Sequence, residues 1–197
     1  AKSFADHPIE PDSVDAGLLP PLHAVSGELA YEMGSAADAR QHFRAAAAFL
    51  TEELEDPDGA LARADLGMLD AEEGRYDTGR ESIRRTLETA RRMGHISLEA
   101  RCRLYLARVA LLEGKASDAL AELEMVPPDD PERAIDRELR AHVHYWMGEA
   151  FKARGDHQSA ASQREAALKI VETLAMRLPE STRDAFRNRP DLLNMLR

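Results

Sequence analysis

From Leu22 onward, apolar residues recur at three- and four-residue intervals almost without interruption, the spacing that lays them along one stripe of an α-helix. The runs predict helices over 21–33, 36–54, 60–73, 76–93, 96–113, 116–125, 132–154 and 157–177. Three sequences punctuate them: Pro57-Asp58-Gly59, Gly94, and Pro127-Pro128-Asp129-Asp130-Pro131. Proline lacks the amide hydrogen that a helix interior needs, and glycine favours a turn, so each marks a break. Upstream stand Pro8, Pro11, Pro20 and Pro21 among Asp6, Glu10, Asp12 and Asp15, so residues 1–20 read as a linker or extended arm.

The helices pair into a repeat. Gly34, Gly74, Gly114 and Gly155 each stand between two amphipathic stretches, at spacings of 40, 40 and 41 residues. A glycine at that place suits a helix C-terminus, where the backbone must take a positive φ. The same register holds elsewhere. Seven residues before each turn stand Gly27, Gly67, Ala107 and Gly148; five after it stand Ala39, Gly79, Ala119 and Ala160. Fourteen before it stand Pro20, Ala60, Ala100 and Ala141, and twelve after it Ala46, Thr86, Val126 and Ala167. Small side chains at fixed places let two helices cross closely. Four helix–turn–helix hairpins follow, at about 21–56, 57–95, 96–130 and 131–178, with a closing segment at 179–197. In that segment Phe186, Leu192, Leu193 and Leu196 can cover the last hairpin, as the end of a repeat array requires.

This ladder of small residues resembles the tetratricopeptide repeat (TPR), with a small residue at position 8, glycine at 15 and alanine at 20 and 27. Gly148, Gly155, Ala160 and Ala167 match it best, with Asp156 after the turn, and the resemblance spans roughly residues 20–178. It implies an all-α, right-handed superhelix of four hairpins plus a C-terminal capping helix. The usual period of the family is about 34 residues. The longer period here is similar to that of repeats in large bacterial kinases and transcription regulators. The string Leu178-Pro179-Glu180, Phe186 and Arg189-Pro190-Asp191-Leu192 also looks like the end of such arrays. Position 4, often tryptophan in the family, is instead His23, Arg63, Arg103 and His144, and position 32, often proline, is matched only loosely by Pro57 and Pro131.

Composition narrows the chemistry. The chain is 44% hydrophobic but only 5% aromatic, with alanine supplying much of the apolar content, as close-packed helices allow. A net charge of −10, with no basic stripe, disfavours nucleic acid and anionic lipid. No apolar run reaches the length that spans a bilayer. The single cysteine, Cys102, cannot build a disulfide framework, so a reducing, cytoplasmic setting is expected. No phosphate-binding glycine loop or nucleophile elbow is present. His142 and His144 lie two apart, on opposite sides of a helix, and cannot share one ion. No catalytic residue, cofactor or metal is therefore expected, and the chain is not read as an enzyme.

The resemblance places a groove on the first helices of the hairpins, at positions 2, 5, 6, 9 and 12. Those positions include Val25, Glu28 and Tyr31; Leu61, Asp65 and Met68; Arg101, Leu104, Tyr105, Arg108 and Leu111; and His142, Tyr145, Trp146, Glu149 and Lys152. Of these, Tyr31, Met68, Arg101, Tyr105, Arg108, His142, Tyr145, Trp146, Glu149 and Lys152 are the candidate partner contacts. Tyrosine and tryptophan bury large area with a polar tip, and two arginines seven apart can grip a carboxylate. The clamp by which some TPR proteins hold chaperone tails needs Lys and Asn where Ala24 and Glu28 stand, so that specialisation is not expected. The implied function is protein or peptide recognition, as a scaffold or sensory arm of a larger bacterial signalling or transcription-regulatory protein. Other domains of the same chain are possible partners too. A structural or oligomerisation spacer and a small-ligand sensor are the alternatives.

Overall fold

The computed structural model describes residues 18–49, 56–126 and 135–196. These residues form ten helices and no strand. They are α1 (Leu19–Glu32), α2 (Ala36–Ala47), α3 (Pro57–Glu72), α4 (Tyr76–Met93), α5 (Ile96–Leu112), α6 (Ala116–Glu124), α7 (Arg137–Ala153), α8 (His157–Ala175), α9 (Glu180–Arg187) and α10 (Pro190–Leu196). The chain divides into two compact units, residues 1–62 and 63–197.

All four expected turns are present. Gly34, Gly74, Gly114 and Gly155 have φ of 80°, 86°, 76° and 81°, a region that costs glycine nothing. Each turn is closed in the same way: the amide after the glycine reaches back five residues, as Ser35 to Ala30 O at 2.9 Å and Lys115 to Ala110 O at 2.8 Å. That bond satisfies a carbonyl the ending helix would otherwise leave bare.

Several expected boundaries are corrected. Pro57-Asp58-Gly59 is not a break but the first turn of α3, capped by the Asp56 carboxylate, which accepts from the Asp58 and Gly59 amides at 3.3 and 2.8 Å. Proline fits there because the first-turn amides have no helical acceptor. For the same reason Pro20 and Pro21 begin α1 instead of ending an arm. Helix α2 stops at Ala47, short of the expected 54, and α7 starts at Arg137, with Asp136 accepting from the Glu138 amide at 3.1 Å. The expected start of that helix, and the proline run before it, lie outside the described residues. The closing segment is two short helices, because Pro190 opens a second one.

The small-residue columns are where helices meet. In the first unit α1 crosses α2 with Gly27 against Phe43; a Cβ at Gly27 would stand 2.5 Å from that ring. In the second unit a Cβ at Gly67 would stand 2.8 Å from the Gly79 carbonyl oxygen, and one at Gly148 would stand 3.2 Å from that of Ala160. Ala107 and Ala119 are fully buried in the same register. In the second unit Leu104, Leu120, Leu123, Leu139 and Val143 form an apolar cluster. Leu192 and Met195 of α10 are buried against Val171 and Ala141, with Tyr145 and Phe186 packed beside them. The cap residues foreseen from sequence are thus in place for Phe186 and Leu192, with Leu193 half-buried; the Leu196 side chain lies outside the described residues.

Position 4, where the sequence departs from the family, proves to be a rung between the two helices of every hairpin. His23 Nδ1 lies 3.3 Å from His42 Nδ1. Arg63 donates to Thr86 and Thr89 hydroxyls at 3.0 Å each, and its carbonyl accepts from Ser82 at 3.0 Å. Arg103 donates to Glu122 at 3.0 Å, and His144 meets Gln163 at 2.7 Å. His42, Ser82, Glu122 and Gln163 each lie nineteen residues beyond their position-4 partner, so one register serves all four hairpins. A buried polar group costs stability unless it is bonded, and here each residue finds its bond across the hairpin.

Candidate functional site

The first helices of hairpins three and four carry most of the residues that the sequence marks for recognition, Tyr31 and Met68 lying on those of hairpins one and two. Four of them form one assembly in the second unit. The Arg108 guanidinium lies 5.7 Å from the Tyr105 ring centre and 5.0 Å from that of Trp146, within reach of both π faces. Its Nη2 donates to Glu72 of α3 at 2.8 Å. The Tyr145 ring stands edge-on to Trp146, with centres 5.3 Å apart. Tyr105 in turn donates its hydroxyl to Asp65 at 2.6 Å, a bond between position 6 of two successive repeats.

Not every candidate reaches the surface. Tyr105 and Met68 are buried, because position 6 and its neighbours lie where one hairpin stacks on the next. Burial pushes the Tyr105 phenol far above its usual range, and the Asp65 charge adds to this, so the hydroxyl stays a donor at any working pH. These two side chains therefore brace the face from behind. Arg101, Arg108, Tyr145, Trp146 and Glu149 are half-buried and Lys152 is exposed, with Lys152 3.8 Å from Glu149. Tyr31 belongs to the first unit, exposed near the end of α1. Sequence reasoning missed Glu72, the carboxylate that holds Arg108. It sits one residue short of the α3 turn, a place that only the stacking of hairpins brings beside Arg108.

His142 points elsewhere. Its Nε2 lies 3.5 Å from Asp191 of α10, while His144 turns to Gln163 of α8, so the two histidines do serve different neighbours. Arg189 binds Glu138 at 2.6 Å and Asp191 at 2.7 Å. Ligand atoms of Glu138, His142 and Asp191 come within 4.8 Å of one another, but the guanidinium already supplies the shared counter-charge. The cluster therefore reads as a latch for the cap. Burial works to raise the Asp191 carboxyl, yet the bonds from His142 and Arg189 outweigh it and hold it at about 2. A carboxyl depressed from about 3.9 in the unfolded chain stabilises the fold above that value and loses its effect as pH falls to 2. Asp191→Asn is accordingly expected to lower the melting temperature at pH 7, and the gap from wild type is expected to close between about pH 4 and 2.

Cys102 is fully buried on α5. Burial, aided by the Asp65 charge, pushes its thiol up to about 12, the opposite of what a nucleophile needs. What the face of α5 and α7 offers is stacking surface and charged hydrogen-bonding groups. No helix among the described residues is long and apolar enough to cross a membrane.

No protein-family model matches the chain, and no curated protein matches its sequence. Solved structures do resemble it. BtubC (BKLC) from P. vanneervenii is 19% identical and aligns over 84% of this chain and 68% of its own, with a TM-score of 0.62. The nearly identical TPR-like repeats of a Podosopora anserina protein described as a kinesin light chain are 16% identical over 92% of this chain and 87% of theirs, with a TM-score of 0.55. At such identities the likeness establishes the fold: the chain is all-α and built of TPR-like repeats.

Proposed function

We propose that this chain is a protein- or peptide-interaction module, serving as the scaffold or sensory arm of a larger cytoplasmic signalling or transcription-regulatory protein of bacteria. The observation that carries this reading is the half-buried Arg108, set between the Tyr105 and Trp146 rings and tied to Glu72. Aromatic and arginine side chains held rigid by their neighbours give up little entropy on binding and are the residues on which protein recognition concentrates. With Arg101, Tyr145, Glu149 and Lys152 beside them, both signs of charge flank the aromatic pair. The 40-residue period and the Leu178-Pro179-Glu180 to Leu192 string support the bacterial regulatory setting, and the net charge of −10 supports a partner other than nucleic acid.

The test is capture of partners from a bacterial lysate on the immobilised chain. Arg108→Glu and Trp146→Ala are each expected to reduce capture at least tenfold, while Arg85→Ala on the exposed face of α4 leaves it unchanged. Helical circular dichroism must match wild type in every variant. Retention of every captured protein by folded Arg108→Glu and Trp146→Ala variants refutes the reading.

A further inference from the structure

Of the four rungs at position 4, one joins two side chains of the same kind. His23 of α1 and His42 of α2 meet through their Nδ1 atoms at 3.3 Å, the longest of the four contacts. The ring centres are 5.6 Å apart and the planes tilt by 37°, so the rings meet by their nitrogen edges and do not stack. Burial, and then the charge that His42 can carry, hold His23 below the usual imidazole range. At neutral pH its ring is therefore uncharged and offers a lone pair, the form in which histidine binds a metal. His23 stands one turn before Gly27, and His42 is next to Phe43, the two residues at which α1 crosses α2. Both imidazoles thus ride on backbone that packing already holds together.

We propose that His23 and His42 form a zinc site, both Nδ1 atoms binding one ion whose remaining positions are filled by water. Distance selects the ion. Two nitrogens, each about 2.0–2.1 Å from a tetrahedral ion, stand about 3.3–3.4 Å apart, which is the separation found here. Neighbouring ligands of a square-planar or octahedral ion, set at a right angle, would stand only about 2.8–3.0 Å apart. Magnesium and calcium are excluded by their demand for oxygen. A small turn of each ring aims both lone pairs at the shared point. Both side chains are half-buried, so water reaches the ion. Among the described residues no third His, Cys, Asp or Glu brings a ligand atom within 4.8 Å of both, so affinity is micromolar and not that of a closed structural site. The other rungs lack this chemistry: Arg63 and Arg103 keep their protons, and His144 faces an amide. Glu138, His142 and Asp191 are a weaker candidate, because Arg189 already lies against both carboxylates. The pair escapes sequence reading because nineteen residues separate its members, far outside the short spacings of helical metal motifs. Zinc bound here ties α1 to α2, and its binding free energy adds to the stability of the first hairpin.

Isothermal titration calorimetry of the whole chain with zinc chloride is expected to show one ion per chain at micromolar affinity, and the same zinc raises the melting temperature. Magnesium chloride does neither. His42→Gln recreates the histidine–glutamine rung of the fourth hairpin, so the two helices stay joined while one ligand is lost. It is expected to weaken zinc binding at least about tenfold, the loss that even an outer-sphere group causes. His142→Ala leaves zinc affinity unchanged, and circular dichroism checks that each variant is folded. Without any variant, nuclear magnetic resonance of the wild-type chain is expected to show zinc shifting the His23 and His42 ring signals. No zinc binding by the wild-type chain up to about 1 mM overturns the proposal. So does full affinity in folded His42→Gln, or affinity lost in His142→Ala instead, or shifts at other histidines while His23 and His42 stay unmoved.

Discussion

Gly67→Val is expected to destabilise the chain by about 3 kcal/mol or more, a large share of the 5–15 kcal/mol that holds a typical domain folded. A Cβ at Gly67 would stand 2.8 Å from the Gly79 carbonyl oxygen and 3.0 Å from Ile83, which is itself fully buried. The first obstacle is backbone, so no side-chain rotation relieves it; α3 and α4 must separate. Even Gly67→Ala loses, although alanine gains about 1 kcal/mol of helix propensity, because the crowding costs more than that. Gly148→Ala is the internal control. There the nearest atom is 3.2 Å away and the next is 3.6 Å, so a shift of a few tenths of an ångström suffices. Propensity then offsets crowding, and stability stays within about 1 kcal/mol of wild type. Urea midpoints followed by helical circular dichroism decide both; equal losses at Gly67 and Gly148 would contradict this account of the crossings.

Tyr105→Phe has the second largest expected effect, about 2–3 kcal/mol, for the removal of one oxygen atom. Asp65 is only 5% exposed, and the Tyr105 hydroxyl donates to it at 2.6 Å. Phenylalanine fills the same space, so no cavity accounts for the loss; the cost is the removal of this donor from a buried carboxylate oxygen. Asp65→Leu together with Tyr105→Phe removes both halves of the bond. The double variant is expected to be less destabilised than the sum of the two single changes by at least about 1 kcal/mol. Strict additivity would mean that the bond contributes nothing of its own.

The fold was largely legible because its periodic signals are strong. Glycines 40 residues apart and the small residues at fixed offsets locate the four turns and the three close crossings, and each of those positions performs the backbone or packing role its size suggests. Three of the misread boundaries fall where one residue type has two uses. Proline stops a helix from inside and starts one from its first turn, and Pro20, Pro21 and Pro57 all do the latter. The candidate site was legible at the level of helix face but not of depth. Tyr105 and Trp146 occupy the same register position, yet Tyr105 is covered by its neighbour while Trp146 is only half-covered. That difference is set by which helix packs on which, and a single sequence does not display it. Glu72, Glu138 and Asp191 are anonymous among 36 acidic residues until stacking brings Arg108 and Arg189 against them.

The rungs at position 4 have a bearing on how the chain finds its fold. An array of near-identical hairpins invites helices to pair with the wrong sister, since the small-residue crossings are interchangeable. The rungs are of two kinds, led by histidine or by arginine. An imidazole meets an imidazole, a guanidinium meets hydroxyls, a guanidinium meets a carboxylate, and an imidazole meets an amide. Arg103 set opposite His42 would face an imidazole in place of the Glu122 carboxylate, and His23 opposite Glu122 would leave that acid without its arginine. Arginine and histidine first helices thus carry different chemical addresses, and a first helix of one kind set against the second helix of the other kind forfeits the match.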